Sequence, residues 1–169
     1  IRAADHLAAP KRLQPALLHW LGSDQPELIS SDDPRDLAAS LEALPTTEAV
    51  VVLASGDPLW FGIGRSLSAR LGGAQLRFHP APTALQLAFA RIGRPWQDAS
   101  WVSLHGRDPA VLAPRLQQRP PALAVLTDPQ QGGAETVRRI LQSSGLEASY
   151  SIWLCENLGH KSERVLQLK

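Results

Sequence analysis

Residues 50–64 read Val-Val-Val-Leu-Ala-Ser-Gly-Asp-Pro-Leu-Trp-Phe-Gly-Ile-Gly. The apolar residues 50–53 are typical of a strand, and the run stops at a short turn, Ser-Gly-Asp-Pro, at residues 55–58. Glycines at positions 56, 62 and 64 precede a helical pattern. A strand that ends this way at the edge of an α/β sheet offers free backbone groups to a ligand. We therefore predict a cofactor-binding turn at residues 55–58.

Strand and helix patterns alternate along the rest of the chain. Apolar runs predict strands at residues 49–54, 75–79, 101–105, 122–126, 150–155 and 164–168. Apolar residues at helical spacing predict helices at residues 59–71, 83–92 and 134–141. Pro114 makes any helix within residues 110–118 short or kinked. This alternation predicts an α/β fold with mostly parallel sheets.

The stretch Pro-Ala-Pro at residues 80–82 is the best candidate for a linker, because each proline fixes φ and favours an extended predecessor. A stiff joint there predicts two small α/β domains, residues 1–80 and residues 81–169. Residues 1–8 look like the tail of an element, and residues 163–169 look like a strand that stops abruptly. With no methionine in the chain, we expect a fragment that is incomplete at both termini.

Composition limits the classes of protein. The chain has 169 residues, of which 44% are hydrophobic, and its net charge of +1 gives no bulk attraction to nucleic acid or to a membrane surface. No apolar run approaches the ~18–20 residues that cross a bilayer, and there is no signal-peptide pattern. The single Cys155 fits a reducing compartment. We expect a soluble, cytoplasmic protein without nucleic-acid or membrane partners.

The residues alone leave several interpretations open. An ordinary strand-to-helix turn would also contain Asp57, and the glycine spacing fits neither a P-loop nor a dinucleotide fingerprint. The five histidines form no i,i+4 pair, so no metal site is expected. Cys155 lies in an apolar run and is interpreted as a structural thiol. Residues 103–107, Ser-Leu-His-Gly-Arg, lie at the end of a predicted strand, where either a ligand site or a plain surface loop is expected.

Six blocks follow one another in a distinctive order. They are residues 53–64, 80–91, 95–99 (Pro-Trp-Gln-Asp-Ala), 103–107, 126–128 (Leu-Thr-Asp) and 155–159 (Cys-Glu-Asn-Leu-Gly). In this order the chain resembles the tetrapyrrole (corrin/porphyrin) methylases, and most of all the branch that methylates C-5 of the corrin ring in cobalamin synthesis. Two features depart from that family. Its first strand and the glycine-rich loop after that strand are not found, so the chain is expected to begin just after them, and its Pro-Gly-x-Ser/Thr joint is Pro-Ala-Pro-Thr at residues 80–83.

The resemblance implies two α/β domains that bind S-adenosylmethionine in a cleft between them. The residues that would contact this cofactor lie in the turn, in the joint and after two strands of the second domain: Ser55, Gly56, Asp57, Trp60, Thr83, Ala84, Thr127 and Leu158. Small residues there let backbone groups reach the ligand, and the carboxylate in the turn would face its ammonium or sulfonium.

The implied reaction is an in-line methyl transfer to C-5 of a precorrin, for which the protein mainly holds the reacting atoms in line and excludes water. His105 is the candidate base for the proton that leaves the ring. Because a precorrin carries many carboxylates, cationic side chains are expected around it: Arg107 first, then Arg65 and Arg91. A homodimer is expected by resemblance.

Two other classes of function stay open. One keeps the fold and changes the acceptor to uroporphyrinogen, a diphthamide precursor or ribosomal RNA, although the near-zero charge counts against RNA. The other is a non-catalytic, truncated domain for ligand binding or dimerisation, which the missing glycine-rich loop favours. The sequence also leaves open whether a C-15-methylating, decarboxylating domain is fused downstream and whether the substrate holds cobalt.

Overall fold

The computed structural model describes residues 3–22, 26–72 and 75–168. Contacts within the chain separate two compact units, Ile1–Thr83 and Ala84–Lys169, which we call the N-terminal and the C-terminal unit. Helices and parallel strands alternate in both, so the predicted α/β class is confirmed. The domain boundary predicted at residue 80 stays a prediction, because compactness alone does not define an independently folding domain.

The N-terminal unit is built around a three-stranded parallel sheet of order β2-β1-β3. Its core includes Leu7 and Ala9 from β1 and Leu17 from α1. The elements in chain order are β1 (His6–Ala9), a 3-10 helix (Lys11–Leu13), α1 (Gln14–Leu21), β2 (Glu27–Ser30), α2 (Pro34–Glu42), β3 (Val50–Val52) and α3 (Gly64–Leu71).

The C-terminal unit holds two pairs of strands, β4 with β5 in parallel and β6 with β7 antiparallel. Leu112 and Leu116 from one helix and Leu141 from another fill its core beside Val102 and Leu104. Its helices and strands are α4 (Ala84–Ile92), β4 (Ala99–Ser103), α5 (Leu112–Gln117), β5 (Ala122–Leu126), α6 (Gly133–Ser143), β6 (Ile152–Glu156) and β7 (Arg164–Leu168). None of the helices within the described ranges has the length and apolar character needed to cross a membrane.

Two sequence expectations for the N-terminal unit are wrong. The stretch expected to be the tail of an element is not one over its described residues 3–8, because residues 6–8 belong to β1, the central strand of the sheet. The strand predicted at 75–79 does not form. Its alternation arises because Leu76 and Phe78 are half-buried, and Phe78 packs close to Gly64 instead of belonging to a paired strand.

Candidate functional site

The turn after β3 leaves the sheet at the carboxyl edge of the parallel strands. Leu53 N–H still donates to Ala8 C=O (2.8 Å), and the chain then turns away. Gly56 has a φ of 71°, and a Cβ there would lie 3.3 Å from the Pro82 carbonyl oxygen and 3.4 Å from the Thr83 Cα. The absence of a side chain at residue 56 therefore lets the turn pack against residues 82–83. The structure thus brings Gly56 and buried Thr83, two of the predicted cofactor contacts, side by side.

Asp57 has a structural role inside the turn. Its Oδ1 accepts from Leu59 N–H (2.8 Å) and its carbonyl accepts from Trp60 N–H (3.2 Å). These bonds hold residues 57–60 in a turn, so the helix predicted from residue 59 begins only at Gly64. Asp57 Oδ2 makes no hydrogen bond to any described residue. One carboxylate oxygen thus supports the turn and the other is available to a ligand.

Gly62 and Gly64 pack against Pro58, at the beginning of the same segment. Gly64 N–H donates to the Pro58 carbonyl (2.8 Å), and a Cβ at Gly62 or Gly64 would lie 2.5 or 2.7 Å from that same oxygen. Their role is therefore internal packing, which explains why their spacing matches no nucleotide motif. Between them and Asp57, the rings of Trp60 and Phe61 meet edge to face, with centroids 4.9 Å apart.

Sequence reasoning missed Arg12, which reaches the same turn. It lies in the 3-10 helix after β1, and its Nη2 donates to Ser55 Oγ (2.8 Å). Adjacent parallel strands end at the same edge of a sheet, so the loops after β1 and β3 are neighbours. Recognition of β1 in the sequence would have been the signal that pointed to Arg12.

In the C-terminal unit, buried Asp128 ties together the loops that follow β4 and β5. Its Oδ2 accepts from Gly106 N–H (2.9 Å) and its Oδ1 accepts from Gln130 N–H (2.9 Å). These two donors, foremost Gly106, lower the pKa of Asp128, and the nearby His105 adds to the effect. The His105 side chain is 77% exposed, with Nδ1 3.8 Å from Asp128 Oδ2.

The other predicted residues of the two loops lie close in sequence to Asp128 and Gly106. Thr127 directly precedes Asp128 and is half-buried, and exposed Arg107 follows Gly106. The sequence pointed to His105, Arg107 and Thr127 but gave Asp128 no role. A carboxylate two residues after a predicted strand was the available signal for it.

Arg91, predicted to meet the substrate, lies in the last turn of α4 and forms a two-point ion pair with Glu163. Arg91 Nε donates to Glu163 Oε1 (2.5 Å) and Nη2 donates to Oε2 (3.1 Å). Glu163 Oε2 also accepts from Gly159 N–H (2.6 Å), next to Leu158. The hydrogen bond from Arg91, followed by that from Gly159, lowers the pKa of Glu163, and the same pairing raises the pKa of Arg91.

The last two predicted residues lie at the beginnings of helices. Arg65 is exposed in the first turn of α3, in the N-terminal unit. Ala84 begins α4, the first element of the C-terminal unit. The ligand contacts predicted for both residues stay predictions.

The fold of this chain is similar to that of a known methyltransferase. The crystal structure of the methyltransferase CobJ superposes with a TM-score of 0.70 over 98% of this chain and 86% of that chain. At 19% sequence identity this likeness shows the fold alone. A family model for the Tetrapyrrole (Corrin/Porphyrin) Methylases matches residues 1–169. The chain therefore belongs to the tetrapyrrole methylases, as its sequence blocks predicted.

Two curated relatives are more similar in sequence. A precorrin-6Y C(5,15)-methyltransferase [decarboxylating] from Sinorhizobium sp is 43% identical over 117 residues, which is 69% of this chain and 27% of that protein. A cobalt-precorrin-7 C(5)-methyltransferase from Salmonella typhimurium is 34% identical over 118 residues, which is 70% of this chain and 56% of that protein. The chain thus aligns with about a quarter of the first relative and just over half of the second.

Proposed function

We propose that this chain is part of an S-adenosylmethionine-dependent methyltransferase that methylates C-5 of a precorrin in cobalamin biosynthesis. Both curated relatives carry the C-5 methylation of a precorrin in their names, which supports the acceptor. The observation that carries the proposal is the turn after β3. In a chain of this family, it presents an available carboxylate oxygen of Asp57 in a turn that packs against Thr83. A homodimer, which the resemblance implies, and a cytoplasmic location, which the single cysteine favours, belong to the same proposal.

The turn fits the amino-acid end of S-adenosylmethionine. That cofactor, when bound, supplies a methyl group on a positively charged sulfonium. Asp57 Oδ2 faces no donor among the described residues and suits the ligand's ammonium. Gly56, which has no side chain, lets this turn pack against Thr83, another residue proposed to hold the cofactor. Other residues proposed to hold the cofactor are Ser55, Trp60, Thr83, Ala84, Thr127 and Leu158.

The chain's own residues then have three tasks. They hold the methyl group and the ring carbon about 3–3.5 Å apart, they exclude water, and they receive the proton that the ring carbon loses. The exposed imidazole of His105, beside Asp128, is the proposed base. Arg107 and Arg65 are proposed to meet the carboxylates of the precorrin. A role for Arg91 at the precorrin would have to compete with the ion pair that its guanidinium forms with Glu163.

Calorimetry with S-adenosylhomocysteine tests the cofactor site on the complete gene product, because the relatives are longer than this chain. Asp57→Asn keeps an oxygen for Leu59 N–H and removes the charge, whereas Asp57→Ala removes both. We expect Asp57→Asn to weaken binding about tenfold at an unchanged melting temperature. Asp57→Ala should weaken binding similarly and also cost about 1 kcal/mol of stability.

The outcomes separate a ligand role from a structural one. If Asp57→Asn and wild type bound S-adenosylhomocysteine with equal affinity, the only role left for Asp57 would be to form the turn. No binding of S-adenosylhomocysteine to the wild-type protein would refute the methyltransferase proposal. For the acceptor, incubation with precorrin substrates and S-adenosylmethionine should add the mass of one methyl group at C-5. Methylation of uroporphyrinogen instead would keep the cofactor and change the substrate class.

A further inference from the structure

Two opposite charges lie around the turn after β3 without neutralising each other. Arg12 Nη2 donates to Ser55 Oγ (2.8 Å), and Asp57 is two residues further along the same turn. The Asp57 carboxylate is directed to Leu59 N–H, and it forms no ion pair with Arg12. Within the described ranges, Ser55 Oγ is the one acceptor that Arg12 contacts, so most of its N–H groups are available to a ligand.

The other cation of this loop is directed elsewhere. Lys11 Nζ lies 3.9 Å from Asp32 Oδ2, and its backbone N–H donates to Asp32 Oδ1 (2.9 Å). Lys11 therefore joins the loop after β1 to the loop after β2. Arg12 is directed to the turn after β3, where the Ser55 hydroxyl fixes the position of its guanidinium.

A fixed guanidinium and a separate carboxylate on one turn complement a zwitterion, which carries a carboxylate and an ammonium on one carbon. We propose that Arg12 binds the α-carboxylate at the amino-acid end of the methyl donor, while Asp57 faces its ammonium. This inference rests on the proposed function and adds a cofactor-binding residue that neither the sequence nor the resemblance indicated. Arginine suits the role because its planar fork donates two parallel hydrogen bonds to a carboxylate.

Ligand truncation tests the assignment on the complete gene product. S-adenosylhomocysteine carries the amino-acid end, and 5′-methylthioadenosine lacks it. We expect Arg12→Ala to raise the Kd of S-adenosylhomocysteine about ten- to a hundredfold, because a charge-assisted pair is lost. The Kd of 5′-methylthioadenosine should stay unchanged. Arg12→Lys keeps the charge but lacks the planar fork. Its Kd for S-adenosylhomocysteine should therefore lie between those of wild type and Arg12→Ala.

Arg115→Ala is the matched control, because it removes an exposed arginine of α5 that has no assigned role. It should leave both dissociation constants unchanged. If Arg12→Ala lost the same affinity for both ligands, its effect would lie at the adenosine or in the fold. That result would overturn the proposal. Unchanged binding of S-adenosylhomocysteine, with or without a higher KM for the precorrin, would also overturn it. Absent wild-type binding would instead refute the proposed function itself, and the Arg12 assignment with it.

Discussion

At the scale of single residues, the Pro58 carbonyl oxygen decides what positions 62 and 64 tolerate. A Cβ at Gly64 would lie 2.7 Å from this oxygen. It would also lie 3.0 Å from a methyl carbon of Leu59 and 3.0 Å from a ring carbon of Phe78. Alanine ordinarily stabilises a helix by about 1 kcal/mol relative to glycine. We expect the reverse for Gly64→Ala, a loss of about 1–3 kcal/mol from the crowding, measured by urea unfolding.

Ser66→Ala supplies the control, since it places alanine at an exposed position of the same helix, α3. It should leave the free energy of unfolding within about 0.5 kcal/mol of wild type. If Gly64→Ala proved as stable as this control, the close approach of α3 to Pro58 would not exist in solution.

At the scale of elements, the ion pair between α4 and the β6–β7 loop has a testable consequence for Arg91. Glu163 holds both Arg91 and the Gly159 N–H, so we expect Arg91→Ala to loosen residues 157–163. Hydrogen exchange at the Gly159 amide should become several-fold faster, because its acceptor loses its fixed position. A higher KM for the precorrin with unchanged exchange would instead assign Arg91 to the substrate.

The prediction of elements from the sequence succeeded where apolar runs are long and bounded. The strands at 122–126 and 164–168 have the predicted limits, and α5 is short, as Pro114 required. β1 and β2 were missed because each has four residues, and β1 contains a histidine and two alanines, which seldom favour strands. Strand pairing decides their structure, β1 with β3 and β2 with β1, and a single sequence does not display that pairing.

In the candidate site too, features set by a local sequence pattern were predicted, and features set by contacts between distant residues were missed. The turn at residues 55–57 was predicted because a strand followed by Ser-Gly-Asp is a local pattern. Arg12 and Asp128 were missed because their roles come from contacts between loops, 43 residues apart for Arg12 and Ser55 and 22 apart for Asp128 and Gly106. Such contacts depend on which strands are neighbours, and that order is a property of the sheet.

At the scale of the whole molecule, two carboxylates of the described residues have lowered pKa values, Asp128 and Glu163, and both lie in the C-terminal unit. Both pKa values are lowered by hydrogen bonds from backbone N–H groups, and that of Glu163 is lowered most by Arg91. A lowered folded-state pKa contributes stability above the unfolded-state value, about 4 for these groups, and this contribution disappears as the pH falls through the folded-state value. Acid should therefore destabilise the C-terminal unit through these two groups.

The double variant Asp128→Asn/Glu163→Gln removes both titrations, so its stability should change less between pH 7 and pH 3 than that of wild type. At pH 7 it should be the less stable protein, because a side-chain amide cannot accept from all the donors that a carboxylate does. Urea unfolding at the two pH values, with hydrogen exchange to locate the change, measures both effects. The control Asp98→Asn/Glu135→Gln alters the same charge through exposed carboxylates and should keep the wild-type pH dependence. Parallel pH profiles for all three proteins would show that the loops after β5 and β6 gain no stability from Asp128 and Glu163.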